Sequence, residues 1–144
     1  MGRLCKVWAL SLILIFGVYS SGCPKGSVTH KVTVAQHNFR SAVEALQNAE
    51  VAEHDKGFVP DDFHIKMQEI IEKIALAGKD LDNQLATGAG TATIKVKLDA
   101  IYTLLDSLNN DGIFGVKNVG AKATLEIALD AIKAIVDNAL VEVS

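Results

Sequence analysis

Four side chains near the middle of the chain are of the types that bind transition metals. Glu50 lies one helical turn before His54, and Asp61 lies one turn before His64. Two imidazoles and two carboxylates at one end of a helical hairpin can hold a divalent transition metal. The sequence nevertheless lacks the Glu-x-x-His pair of di-iron helical bundles, and polar residues are ordinary at an exposed turn. We therefore predict a polar turn here, with no metal and no cofactor.

The nucleophilic side chains carry no recognisable catalytic setting. Ser41, Ser107 and Ser144 have no neighbouring residues that mark a nucleophile with its base. The glycines of 88–90 and 112–120 do not have the spacing of a phosphate-binding loop. We therefore expect a protein that is not an enzyme.

The polar loop that follows residue 108 has two features of a calcium-binding loop. If Gly112 is the turn glycine, Asn109 and Asp111 fall on ligand positions, as in an EF-hand. Ser107 and Asn118, however, stand where the first carboxylate and the bidentate glutamate should be. The pattern does not predict a calcium site.

The same loop contains the run Asp111, Gly112, Ile113, Phe114 and Gly115, followed by Lys117. This run resembles a short signature of small helical peptidoglycan-binding domains, and the resemblance implies a wall-binding loop at 111–115. That family continues with a proline, a threonine and a helix that ends in Phe-Gln, whereas Val116 and Asn118 follow here. An ordinary glycine-capped helix end, with Phe114 tucked over the core, accounts for the same residues.

The first residues of the chain have the three-part organisation of a secretory signal. Arg3 and Lys6 give a cationic start, and the residues from Val7 to Val18 are mostly apolar. A membrane-spanning helix needs about 20 apolar residues, so this segment is too short to be one. Small residues at 20–22 then lead into Cys23. The pattern predicts a signal peptide over 1–22 that is removed from the mature chain.

The end of this segment resembles the lipobox of bacterial lipoprotein precursors. The resemblance places Gly22 before the cleaved bond and makes Cys23 the residue that is acylated, with palmitate, and becomes the new N-terminus. Ser20 stands where the family usually has an aliphatic residue, and the alternative is an ordinary secretory signal cut nearby. The resemblance implies a membrane-anchored protein of the bacterial cell envelope that faces the periplasm or the exterior. Pro24 is not the aspartate that retains enteric lipoproteins in the inner membrane, so the outer membrane is a candidate location.

Composition limits the partners and the source of stability. Loss of Arg3 and Lys6 with the signal changes the formal net charge from -3 to -5, because all 17 acidic residues remain. A mildly acidic surface argues against nucleic acid as a partner. Cys23 is the single cysteine that remains, so an internal disulfide cannot form and the domain must be held by packing.

Hydrophobic periodicity predicts an all-α domain. Apolar residues recur at steps of three and four through four segments, and these are separated by Gly57, by the glycines of 88–90 and by the loop near Gly112. Pro60 predicts the start of the second helix, and the fourth is expected over 121–142. Short connections favour antiparallel neighbours, hence an up-down-up-down four-helix bundle. The alternative is a three-helix core with the first helix docked loosely. The predicted boundaries are 1–22 for the signal peptide, 23–33 for an extended tether and 34–144 for the bundle.

The fourth helix has an unusual distribution of charge. Its charged side chains before Glu142 fall on one narrow stripe: Lys122, Glu126, Asp130, Lys133 and Asp137. The remaining apolar arc is wider than the roughly 100° that a surface helix normally buries. We expect the helix to be sunk among three neighbours, with Ile127 and Ala134 buried. The alternative is a second apolar face for a protein partner, a sister subunit or lipid, formed by Ile127, Ala131, Ala134, Ile135 and Val141.

Together these patterns predict a non-enzymatic, lipid-anchored helical module with a structural or interaction role outside the cytoplasm. The first alternative is a lipoprotein that binds peptidoglycan through the loop around Phe114. The second alternative is a metal-binding or enzymatic helical bundle.

Overall fold

The protein folds into four long α helices. The computed structural model describes residues 27–144, so the predicted signal peptide, Gly22 and Cys23 lie outside the described residues. The helices are α1 (Val28–Asp55), α2 (Asp61–Ala86), α3 (Thr91–Ser107) and α4 (Val119–Val143). A π-helical turn (Leu108–Gly112) and a 3-10 turn (Ile113–Gly115) join α3 to α4. No strand occurs between residues 27 and 144.

The four helices form a square in which each helix packs against two others. α1 contacts α2 and α4, and α3 contacts the same two helices from the opposite corner. The α1 and α2 helices are antiparallel, because Gln36 bonds to Gly78 near one end and Glu50 to His64 near the other. The predicted all-α four-helix bundle is confirmed. Because Val32 and Phe39 are buried, α1 is a full member of the bundle and the three-helix alternative is wrong.

The first helix begins earlier than the sequence suggested. Ser27 is its N-cap, and the Ser27 hydroxyl accepts a hydrogen bond from the backbone N–H of His30 at 3.2 Å. Residues 28–33, which we expected to be extended, are therefore helical, and the bundle starts at Val28 rather than at residue 34. Burial of Val32 explains the difference, since packing overrides the weak preference of β-branched residues for strands.

The remaining helix boundaries lie close to the predicted ones. Pro60 is the N-cap of α2, as expected from its fixed backbone angle and the acidic first turn. Asn118 caps α4, because its side chain accepts a hydrogen bond from the Ala121 N–H at 2.9 Å. That cap starts α4 at Val119, slightly before the predicted residue 121.

α1 buries three polar side chains, which an apolar pattern alone does not identify: Gln36, Glu50 and Glu53. The alanines at positions 35, 42 and 49 are only half-buried, whereas Gln36 and Glu50 are buried. Gln36 is tolerated because its amide donates to the backbone carbonyl of Gly78 at 2.7 Å. A side chain at Gly78 would place its Cβ 2.7 Å from the Phe39 ring, so the glycine permits the close approach of α1 and α2.

The most apolar helix, α4, is part of the same bundle. Its inward seam is buried, and the members of this seam are Leu125, Leu129, Ile132, Val136 and Val143. Between residues 27 and 144, no helix is both long enough and apolar enough to cross a membrane.

Candidate functional site

The outer side of α4 is an exposed apolar surface. Ile127 is 71% exposed and Val141 is 74% exposed. Ala131 and Ala134 are also exposed, while Ile135 is half-buried towards α1. The expectation that Ile127 and Ala134 are buried is therefore wrong. Because the bundle is square, α4 has two neighbouring helices rather than three, and its outward side is left uncovered.

The exposed positions on α4 follow a regular seven-residue repeat. They alternate in steps of four and three, which places them in one line along the outer side of the helix. Every member of this line is exposed and none is charged. They are Gly120, Thr124, Ile127, Ala131, Ala134, Asn138 and Val141.

The neighbouring helix α1 continues the same surface. It has its own line of exposed, uncharged residues with the same alternation of four and three, although the members are more polar. They are Val34, Asn38, Ser41, Ala45, Asn48 and Ala52. We refer to the lines on α1 and α4 together as the α1/α4 face. No sequence signal on α1 alone identified its half, because only the packing places it beside α4.

The charged stripe of α4 lies between the α4 line and α3. Lys133 binds Asp106 of α3 at 2.6 Å and lies 5.5 Å from the centre of the Tyr102 ring. Lys122 lies 4.0 Å from Glu126 on the same helix. The Lys133 contacts join α3 to α4, whereas the two aspartates of the stripe are exposed and border the α4 line.

The predicted wall-binding loop has a conformation that depends on two glycines. A Cβ at Gly112 would lie 2.4 Å from a Met67 side-chain carbon, and one at Gly115 would lie 2.1 Å from the Phe63 ring. Gly112 and Ile113 are buried against α2, whereas Asp111 is exposed. The loop backbone is therefore held against the core.

Phe114 is displayed outward by this loop. Its side chain is 72% exposed, so the expectation that it is tucked over the core is wrong. The core position is taken by the preceding Ile113, which is fully buried. The ammonium of Lys122 lies 4.6 Å from the centre of the Phe114 ring, within the range of a cation–π contact.

The histidines and carboxylates of the α1/α2 hairpin do come together. Glu50 is fully buried, and both of its carboxylate oxygens accept from His64 Nδ1, at 2.8 and 3.1 Å. The Gln68 amide also donates to Glu50. The His54 ring stacks on the His64 ring with 3.9 Å between ring centres, and its Nδ1 donates to the Val59 carbonyl at 2.9 Å.

This cluster ties the end of α1 to the start of α2. Each Nδ1 is used within the protein, and Asp61 Oδ1 lies 3.8 Å from His54 Nε2, beyond hydrogen-bonding distance. Among residues 27–144, no three His, Cys, Asp or Glu side chains are arranged so that they could hold a metal ion. The contacts account for the burial of Glu50, because a buried carboxylate needs charged or hydrogen-bonding partners.

One exposed carboxyl on the opposite side of the bundle has a perturbed acidity. The Lys97 ammonium of α3 lies 2.7 Å from Asp80 of α2. Its hydrogen bond and its positive charge lower the pKa of the Asp80 carboxyl. The pair joins two helices far from the α1/α4 face.

No family model, curated protein or solved structure matches this chain.

Proposed function

We propose that this chain is a lipid-anchored, non-enzymatic interaction module that acts on the outward side of a bacterial membrane, in the cell envelope. The observation that carries the proposal is the α1/α4 face, an uncharged surface that includes Ile127 at 71% exposure. Contiguous apolar patches on a soluble protein mark contact sites for proteins or membranes, and the α4 half of the face has such a row in Ile127, Ala131, Ala134 and Val141. The second support is the N-terminal segment that ends in Cys23.

The start of α1 defines the geometry of the anchored protein. Only four residues separate Cys23 from Val28, so a lipid on Cys23 would hold the start of α1 close to the membrane surface. The end of α4 lies at the same level, because Lys31 binds Glu142 at 2.8 Å. The α1/α4 face would then stand upright and face sideways, towards other molecules anchored in the same membrane.

The lipid anchor is tested by metabolic labelling of the full-length chain with a fatty-acid analogue. Wild type should be labelled and should sediment with membranes, and Cys23→Ala should be unlabelled and soluble, because buried acyl chains provide about 0.8 kcal/mol of binding per CH2. Cys5→Ala is the matched control, since Cys5 lies within the predicted signal peptide. Equal labelling of wild type and Cys23→Ala would refute the anchor.

The contact role of the α1/α4 face is tested by site-specific photo-crosslinking in cells. A photoreactive side chain at Ala131 should form crosslinked species, because that position lies in the middle of the face. The same group at Ala75, which is exposed on the diagonally placed α2, should not. Equal crosslinking at both positions would show that the face has no special contact role.

A second candidate function is peptidoglycan binding, and the exposure of Phe114 favours it. The 3-10 turn packs against the start of α2, at the end of the bundle opposite to the start of α1. At 1.5 Å per residue, the 28 residues of α1 place that end about 42 Å from the anchor side. An aromatic ring beside Lys122 at such a distance is suited to contact material above the membrane.

Sedimentation with isolated peptidoglycan tests this second function. If the loop binds the wall, Phe114→Ala should reduce the sedimenting fraction about tenfold or more, whereas Phe58→Ala should not. Phe58 is the matched control because it is also exposed, at 42%, at the same end of the bundle. Equal sedimentation of both variants and wild type would exclude the loop as the binding element.

A further inference from the structure

Two imidazole rings and one buried carboxylate meet at the end of the α1/α2 hairpin. His64 Nδ1 donates to both oxygens of Glu50, and His54 Nδ1 donates to the Val59 carbonyl. Because carboxylate and carbonyl oxygens only accept, each Nδ1 carries a proton, and an added proton binds at the Nε2 atom of either ring. The side chains of His54 and His64 are 25% and 26% exposed, so protons from solvent can reach them.

The cluster has a buried counter-charge for one added proton. The Glu50 side chain is 0% exposed, and a positive charge on the rings offsets the cost of burying its carboxylate. The other carboxylate near the rings is Asp61, whose Oδ1 lies 3.8 Å from His54 Nε2. The Asp61 side chain is 94% exposed, so water screens its charge. The fold therefore balances one added proton and does not balance a second.

The stacking of the two rings opposes a second proton. The ring centres of His54 and His64 are 3.9 Å apart and the ring planes differ by 9°, so the rings lie face to face. When both rings are protonated, two like charges face each other inside the protein, where their repulsion is stronger than in bulk water. In the unfolded chain the rings separate, and each can take up its own proton.

Other charged groups on the neighbouring elements do not compensate for a second proton. Within residues 27–144 they are paired with other side chains or exposed to solvent. In this set Glu53 binds Lys56 at 2.8 Å, Asp106 binds Lys133 at 2.6 Å, Lys122 lies against the Phe114 ring, and Asp111 of the connecting turns is exposed.

We propose that the stack of His54 on His64 makes the α1/α2 hairpin sensitive to acid, because the folded hairpin accommodates one added proton and excludes a second. Imidazole side chains change their charge between about pH 5 and pH 8. Stability rises with pH wherever the unfolded state binds more protons than the folded state. The unfolded hairpin binds the second proton, so the stability of the protein should fall as the pH drops below about 6.5. This property is independent of the lipid anchor and of the α1/α4 face.

The acid-sensitive stack lies beside the part of α2 that supports the loop at 111–115. Phe63 packs against Gly115 and Met67 packs against Gly112. Both side chains belong to the same first two turns of α2 as His64. Loosening of these turns by acid should therefore also loosen the loop that displays Phe114.

Urea unfolding of the full-length chain in mild non-ionic detergent, at about pH 6.5 and about pH 5, tests the proposal. His54→Phe keeps a flat ring against His64 but cannot take up a proton. Between these two pH values, the unfolding equilibrium constant of wild type should rise about tenfold more than that of His54→Phe, because only unfolded wild type protonates at position 54. The carboxylates are common to both chains, so their contribution cancels. His37→Phe is the matched control, because His37 is exposed on α1, and it should follow wild type.

A titration of the histidine ring resonances by NMR measures the same property in folded wild type. One of the two stacked rings should stay unprotonated until the hairpin opens, whereas His37 should titrate as an ordinary exposed histidine. This measurement decides the proposal even if His54→Phe does not fold. Protonation of both rings in the intact fold, or equal pH dependence of wild type and His54→Phe, would overturn it. Neither result depends on whether Cys23 is acylated.

Discussion

At the scale of single residues, the strongest constraint is the buried carboxylate of Glu50. Its side chain is 0% exposed and accepts hydrogen bonds from His64 and Gln68. A buried carboxylate that loses a partner keeps its full cost of desolvation. These partners are side chains on the first two turns of the next helix, so Glu50 joins the end of α1 to the start of α2.

We predict that His64→Ala lowers the free energy of unfolding by about 1–3 kcal/mol, the usual cost of leaving a buried acceptor without its hydrogen-bond donor. His37→Ala is the control, because His37 is exposed on α1, and it should change stability by about 0.5 kcal/mol or less. Urea unfolding monitored by circular dichroism measures both. Equal effects of the two substitutions would show that the Glu50 contacts do not stabilise the fold.

Gly115 leaves no room for a side chain, because the Phe63 ring packs directly against it. A Cβ at this position would lie 2.1 Å from the Phe63 ring, so Gly115→Ala should lower the free energy of unfolding by about 1–3 kcal/mol, as for other overpacked sites. Gly90→Ala should be close to neutral, since no heavy atom lies within 4 Å of a Cβ there. Thermal melting compares the two variants. A neutral Gly115→Ala would mean that the loop does not need its close contact with α2.

At the scale of helices, apolar periodicity determines where each helix faces the core. Leu105 lies in the most regular seam of the sequence and is fully buried in α3. We predict that Leu105→Ala costs about 2–5 kcal/mol, from lost transfer energy and the cavity left behind. Leu76→Ala, at a position 59% exposed on α2, should cost much less. Chemical denaturation measures the difference, and similar values for both would contradict the assignment of the core.

The sequence predicts the helices better than it predicts their surroundings. Pro60 and the glycine-rich breaks are local signals, so the number of helices and most of their boundaries could be predicted. The start of α1 could not, because burial of Val32 depends on the neighbouring helices. The outward position of Ile127 depends on how many helices surround α4. The sequence of α4 alone does not indicate that number.

The candidate functional site, like the fold, could be predicted only in part from the sequence. The alternative apolar face on α4 was visible from the sequence, because its members share one side of a single helix. The contribution of α1 was not visible, since Val34, Ala45 and Ala52 form a surface only after α1 and α4 are packed side by side. Phe114 was identified by its loop, but its exposure follows from Ile113 taking the core position.

At the scale of the whole molecule, most of the ion pairs that join the helices lie away from the α1/α4 face. Charged side chains link α3 to α4 and α2 to α3, through Lys133 and Asp106 and through Lys97 and Asp80. The side formed by α1 and α4 has one such link among the described residues, between Lys31 and Glu142 at its end. The uncharged remainder of that side is available for an intermolecular contact, as the proposed interaction module requires.

The α1/α4 face is proposed as an intermolecular contact surface, and Ile127→Asp tests this role most directly. Chemical crosslinking in isolated membranes gives the size of the species that contain the full-length chain, and thermal melting of the purified chain gives its stability. The matched control is Ile65→Asp, because Ile65 is 57% exposed on α2 and lies outside the face. We predict that Ile127→Asp melts within about 4 °C of wild type, as expected for a surface change of about 0.5 kcal/mol or less, and is monomeric. Wild type and Ile65→Asp should both form a larger crosslinked species. An Ile127→Asp chain that unfolds, or that keeps the mass of wild type, would contradict the claim.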